Sequence, residues 1–202
     1  ARIECAALID TGELHALAAG CRHPAPPAPL DDLPLRLRPS NMQACVPNWG
    51  VLDLYEELTS LVGVLETKQI EYSICGGIAM AVWGVPRATV DIDILVEESD
   101  LDRVNAVAAS LGYVHRALPM RFANGAVDIR RVSKTDPASG DVLMIDVLLV
   151  TPQLREVWNA RQRLQWEQGT ITVVSREGLI KLKSLRGSGR DLDDIERLRD
   201  GS

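Results

Sequence analysis

A chain of 202 residues with 46% hydrophobic content can bury the core of one ordinary domain. Its net charge of −6 argues against an extended nucleic-acid footprint. No apolar run reaches the roughly 18 residues that a membrane-spanning helix needs. The charge is unevenly spread: residues 1–150 carry 12 Lys/Arg against 20 Asp/Glu, and residues 151–202 carry 10 against 8. An acidic half facing a mildly basic one suits a metal-bound polyphosphate. Cys5, Cys21, Cys45 and Cys75 stand far apart with no C-x-x-C pair, which supports neither a zinc site nor a disulfide framework. Reduced thiols in a cytoplasmic protein are the expectation. Asp10, Glu13 and His15 interrupt the patchy apolar stretch 5–21, and no basic region precedes it, so a secretory signal is not expected.

Residues 1–48 differ from the rest. Pro24, Pro26, Pro27, Pro29, Pro34 and Pro39 crowd a span that cannot sustain a helix or a central strand. A flexible leader is expected there, after a short helix over 3–19, with the folded domain occupying 49–202. In 51–68, Leu54, Tyr55, Leu58, Leu61, Val62 and Leu65 recur at helical spacing and predict an amphipathic helix. A short strand over 71–75 leads to Gly76-Gly77, a small-residue helix over 78–83, and an alternating strand over 89–96. Ser99 is expected to cap a helix that Gly112 closes. Strands follow over 113–118, 121–132 and 143–150, with 136–140 as a turn. Thr151-Pro152 predicts a helix running to about residue 163. A hairpin about Gly169 and two helices over 176–185 and 191–199 complete the chain. The fold class is therefore α/β (α+β), a mixed β-sheet with flanking helices and a short C-terminal helical segment.

The chemistry concentrates at Asp91 and Asp93. Residues two apart on a strand share a face, so the two carboxylates lie side by side while Val90, Ile92 and Ile94 face the other way. Paired hard oxygens suit Mg²⁺, with Mn²⁺ as a substitute. An aspartate pair alone also fits a solvated strand face. Asp146 adds to the signal, because it interrupts the apolar run Val142-Leu-Met-Ile-Asp-Val-Leu-Leu-Val150. A carboxylate there needs a metal or an ion pair, and Arg87 is the candidate partner for the second case. Arg87 and Thr89 share strand parity with the aspartates and are placed to orient them. Gly76-Gly77 sits at a strand-to-helix junction, where backbone can approach phosphate closely; a plain tight turn is the other reading.

Gly76-Gly77, then Arg87-x-Thr89-x-Asp91-Ile-Asp93, then Asp146 on a later strand resemble the DNA polymerase β-like nucleotidyltransferase superfamily over roughly residues 70–200. The small bacterial branch that includes abortive-infection-type nucleotidyltransferase toxins is the most similar in layout, and aminoglycoside and lincosamide nucleotidyltransferases share it. The resemblance implies that Gly76 and Gly77 contact a nucleoside triphosphate. It further implies that Asp91, Asp93 and Asp146 are catalytic and bind Mg²⁺. In the tail, 179–195 resembles the family's helix–loop–helix, which implies a phosphate-contacting Lys183. Arg186, its i+3 neighbour, joins it as a second nucleotide-binding candidate, above an apolar stripe of Leu179, Leu182 and Leu185. Trp83, Trp158 and Trp166 are expected in packing, and His115 has no recognisable partner.

The expected activity is transfer of a nucleoside monophosphate from a nucleoside triphosphate to a hydroxyl of an acceptor (RNA, protein or small molecule) that the sequence does not identify. The alternative is a non-catalytic binding partner of the same fold, for example in a toxin–antitoxin pair; the partners expected besides the triphosphate are a second protein or a second copy of the chain.

Overall fold

The computed structural model describes residues 53–200. The leader expected over 1–48, its short helix, and Cys5, Cys21 and Cys45 lie outside the described residues. Helix α1 (Leu54–Thr67) begins where the Asp53 side chain accepts hydrogen bonds from the Tyr55 and Glu56 amides, and it buries Leu54, Leu58, Leu61, Val62 and Leu65. Strand β1 (Ser73–Ile74) is shorter than expected, and helix α2 (Gly76–Val82) follows. The glycine pair thus forms the first turn of α2 and does not merely precede it. Strand β2 (Asp91–Val96) leads through a 3-10 turn (Glu98–Asp100) into helix α3 (Leu101–Ser110). Ser99 lies inside that turn and caps nothing, because the tighter turn takes up the entry to the helix.

The strand expected over 121–132 is two strands. Short β3 (His115–Arg116) and β4 (Met120–Phe122) precede a turn at Ala123–Gly125, where Asn124 and Gly125 take φ of 54° and 86°. The chain then doubles back as β5 (Val127–Thr135), and the Asn-Gly pair is the left-handed element that the reversal requires. Strand β6 (Val142–Leu149) is followed by a 3-10 turn and only a short helix α4 (Arg155–Asn159), so the helix expected to reach residue 163 ends early. Strands β7 (Gln162–Trp166) and β8 (Gly169–Val173) form the expected hairpin. Helix α5 (Arg176–Arg186) is capped by Ser175, whose Oγ accepts from the Gly178 amide, and ends at left-handed Gly187. Helix α6 (Gly189–Asp200) packs back on it.

The eight strands make one mixed sheet in the order β3-β5-β6-β2-β1-β8-β7, with β4 also pairing with β5. β2 and β6 run parallel at the centre, and β5 is antiparallel to β6. Ile92, Ile94, Ile145 and Val147 are fully buried on one face, toward α1 and α3. The opposite face carries Asp91, Asp93, Asp146 and Arg131, beneath α5. Trp158 and Trp166 are buried, and Trp83 donates its indole N–H to the Val174 carbonyl, as packing roles require. No helix among the described residues is long and apolar enough to cross a membrane.

Candidate active site

Register brings the three aspartates together. Asp93 on β2 stands directly opposite Asp146 on β6, and Asp91 lies one pleat repeat away on the same face. One carboxylate oxygen from each falls within 4.8 Å of the others, the one such cluster of potential ligands among the described residues. Asp93 and Asp146 are 6% and 3% exposed. All three donors are hard oxygens, the set that Mg²⁺ prefers.

The three carboxylates have different surroundings. Asp91 accepts a hydrogen bond from Thr89 Oγ1 at 2.8 Å, so Thr89 does orient an aspartate, as its parity suggested. Asp146 is gripped by Arg131, whose Nε and one terminal nitrogen reach its two oxygens at 2.6 Å each. That bond is the main cause holding the Arg131 guanidinium above its ordinary value. Arg87 is not the partner; it donates to Asp194 at 3.1 Å. Among the described residues no side chain or amide donates to the Asp93 carboxylate. Burial, then the charges of Asp91 and Asp146, push the Asp93 acid up to about 7, against a smaller opposing pull from Arg186 and Lys183. A buried carboxylate without a donor beside two more carboxylates fits a divalent cation better than it fits an empty pocket.

Gly76 and Gly77 are fixed by the same geometry. A Cβ on Gly76 would sit 1.7 Å from Asp93 Oδ2, and Gly76 also takes a left-handed φ of 60°. A Cβ on Gly77 would sit 2.5 Å from Thr89 Oγ1. The pair lets the start of α2 lie against the aspartate strand, so glycine is needed here by the protein's own packing. The Cys75 amide donates to the Asp93 carbonyl at 2.9 Å and ties the junction to β2. Cys75 is fully buried, and burial pushes its thiol up, which makes it an inert core residue.

Lys183 and Arg186 border the cleft that also contains Gly76, Asp93, Ile129 and Leu148. Neither is a solvated cation. Lys183 is 3% exposed and donates to Asp194 at 2.5 Å, with Asp191 3.7 Å away. Arg186 makes a two-pronged pair with Asp191 at 2.8 and 2.9 Å. Burial would raise the Asp191 acid, but Arg186 and Ser188 overcome it and hold it at about 2. Arg87, Lys183 and Arg186 thus face two buried carboxylates, an excess of one positive charge behind Asp93. Asp191 and Asp194 and the role of Arg131 were missed from sequence. The i, i+3 spacing of Asp191 and Asp194, which mirrors that of Lys183 and Arg186, was a readable signal. Arg131 gave none until strand register was known. A separate cleft, lined by Glu66, Tyr72, Arg161 and Arg163, opens toward the other end of β1 and holds no metal-ligand cluster.

No family model matches the chain, and no curated protein matches it in sequence. Solved structures do match. The structure of ANT(2″)-Ia in complex with adenylyl-2″-tobramycin superposes with a TM-score of 0.51 at 10% identity, over 72% of this chain and 87% of that one. TM1012 from Thermotoga maritima, a proposed nucleotidyltransferase, gives 0.47 at 16% identity, over 72% and 90%. The solution structure of ANT(2″)-Ia gives 0.46 at 12%, over 71% and 80%. The mixed sheet with its flanking and C-terminal helices is thus a fold shared with ANT(2″)-Ia. At this identity the likeness establishes the fold and leaves the activity to be argued from the site.

Proposed function

We propose that the protein is a Mg²⁺-dependent nucleotidyltransferase acting on a nucleoside triphosphate and an acceptor hydroxyl. The observation that carries this reading is Asp93, a buried carboxylate with no donor, packed between Asp91 and Asp146. These three residues would hold the ion, which when bound would offset the negative charge of the triphosphate and of the leaving pyrophosphate. The chain's own groups supply the rest. Thr89 fixes Asp91, Arg131 fixes Asp146, and the Gly76-Gly77 turn sets backbone against Asp93. Lys183 and Arg186 set a positive field behind the cleft, where a triphosphate would lie. The acceptor oxygen forms a bond to the α-phosphorus, the bond from that phosphorus to the pyrophosphate oxygen breaks, and the hydroxyl proton passes to a carboxylate of the trio.

One observation supports a second reading, a non-catalytic binding partner with this fold. Arg131 already covers both oxygens of Asp146, so part of the acidic charge is neutralised without a metal. Thermal melting with each of the four nucleoside triphosphates, with and without Mg²⁺, separates the two. An enzyme should be stabilised by at least one triphosphate only when Mg²⁺ is present, and should then release pyrophosphate once an acceptor is supplied. Absence of any Mg²⁺-dependent shift with all four would remove the enzymatic reading.

A further inference from the structure

A cleft of about 310 Å³ opens where β2 and β6 begin, lined by Leu54, Thr89, Val90, Val142 and Leu143 together with the turn between β5 and β6. Leu54 and Leu143 are buried, but Val90 and Val142 are 44% and 52% exposed. An apolar cavity with open walls gains from a cover. The cleft also touches the aspartate site. Thr89 is one of its walls, and the same side chain donates to Asp91 at 2.8 Å and abuts the Gly77 backbone. Thr89 is thus held by α2 and by Asp91, and its remaining side faces the cleft.

The chain itself supplies a candidate cover. Helix α1 starts at Leu54 behind the Asp53 cap, so Val51 and Leu52 precede the helix that periodicity predicts for them. The run Trp49-Gly-Val-Leu52 lies outside the described residues, yet its distance from the cleft is bounded. Extended chain spans at most about 3.5 Å per residue, so Leu52 lies within about 7 Å of Leu54 and Trp49 within about 18 Å. An apolar residue before an N-cap ordinarily packs on the fourth helical residue. Here that residue is Glu57, which is already bonded to Lys134 and Tyr113. The nearest unfilled apolar surface is the cleft, of which Leu54 is a wall. Of the four side chains only the Trp49 indole is broad enough to cover both valines, and its N–H suits the rim, where Asp141 stands.

We propose that the segment Trp49–Leu52 closes this cleft, with Trp49 against Val90 and Val142, and so braces Thr89 against Asp91. Its effect on a metal rests on the nucleotidyltransferase reading above; the docking itself does not.

The emission of Trp49, taken as the difference between the full chain and its Trp49→Phe variant, tests the docking in the metal-free protein. Trp49 should be shielded from acrylamide in the parent and open to it in Val142→Glu, with the milder Val142→Ala giving part of the same effect. Trp49→Ala should lower the melting temperature by about 4–8 °C. Adding Val142→Glu to it should cost little more, because both substitutions break one contact. Trp49→Ala and Val142→Glu should each bind Mn²⁺ about tenfold more weakly, with all three aspartates intact. Trp49 open to acrylamide in the parent, or losses that simply add, would overturn the proposal. Shielding that fades on dilution would overturn it too, because a second copy would then be the cover. Unchanged Mn²⁺ affinity in both variants would overturn the bracing of Thr89. A shielded Trp49 in a chain that binds no Mn²⁺ would leave the docking standing and remove the enzymatic reading.

Discussion

Asp93→Asn is expected to raise the melting temperature of the metal-free protein by about 2–8 °C at pH 8. In the apo protein the Asp93 carboxylate is buried, undonated and repelled by two neighbours, so its acid form is favoured and titrates near 7. An acid raised in the folded state contributes stability that is fully present below about pH 4, the value in the unfolded chain. That contribution is lost as pH rises through about 7, where folded Asp93 ionises. Its full size is on the order of 4 kcal/mol, with part recovered by relaxation around the coupled carboxylates. Asparagine has the same shape and can donate its amide to Asp91 or Asp146, so the variant keeps that stability above pH 7. Its advantage over the parent should shrink toward pH 5. Melting curves from pH 4 to 9 check this, and a parent protein whose stability is flat across that range would refute it. The same substitution should abolish any Mg²⁺-dependent response to nucleotide.

Lys183→Ala has the opposite sign. A surface lysine would leave the melting temperature of the free protein nearly unchanged, which is what the helical pattern of 179–186 suggests on its own. The structure reverses that expectation, because Lys183 and Asp194 are 3% and 2% exposed and bonded at 2.5 Å. Removing the amine leaves Asp194 buried with only Arg87, while Asp191 keeps Arg186 and Ser188. The loss should be about 3–5 kcal/mol, or on the order of 10 °C in melting temperature. Lys181→Ala on the same helix breaks only an exposed pair with Glu156 and should cost under about 1 kcal/mol. Equal melting temperatures for the two variants would show that the Lys183 network contributes nothing to the fold.

The site and the fold were unequally legible in the sequence. Asp91 and Asp93 could be read because strand parity is a local property, and Asp146 because a charge inside an apolar run is anomalous. Their meeting within 4.8 Å depends on the parallel pairing of β2 with β6, which no local pattern encodes. Arg131 was invisible for the same reason: two adjacent arginines give no hint which one faces β6. Arg87, a candidate partner for Asp146 by sequence, pairs instead with Asp194, because strand parity says nothing of α6. The Asn124-Gly125 turn splits what hydropathy read as one strand, and the glycine pair enters α2 because close approach to Asp93 and Thr89 matters more there than helix propensity. The buried network of Lys183 shows how a helical periodicity argument fails when the polar face of one helix meets the polar face of another.

The central claim is that Asp91, Asp93 and Asp146 share one divalent cation. Titration of the full chain with Mn²⁺, read by the loss of the free-ion paramagnetic resonance signal, tests it most directly. One bound ion per chain is expected, displaced by excess Mg²⁺ and absent in both Asp93→Asn and Asp146→Asn. Mn²⁺ binding that is equal in the parent and the two variants, or no binding to the parent in the presence of triphosphate, would contradict it.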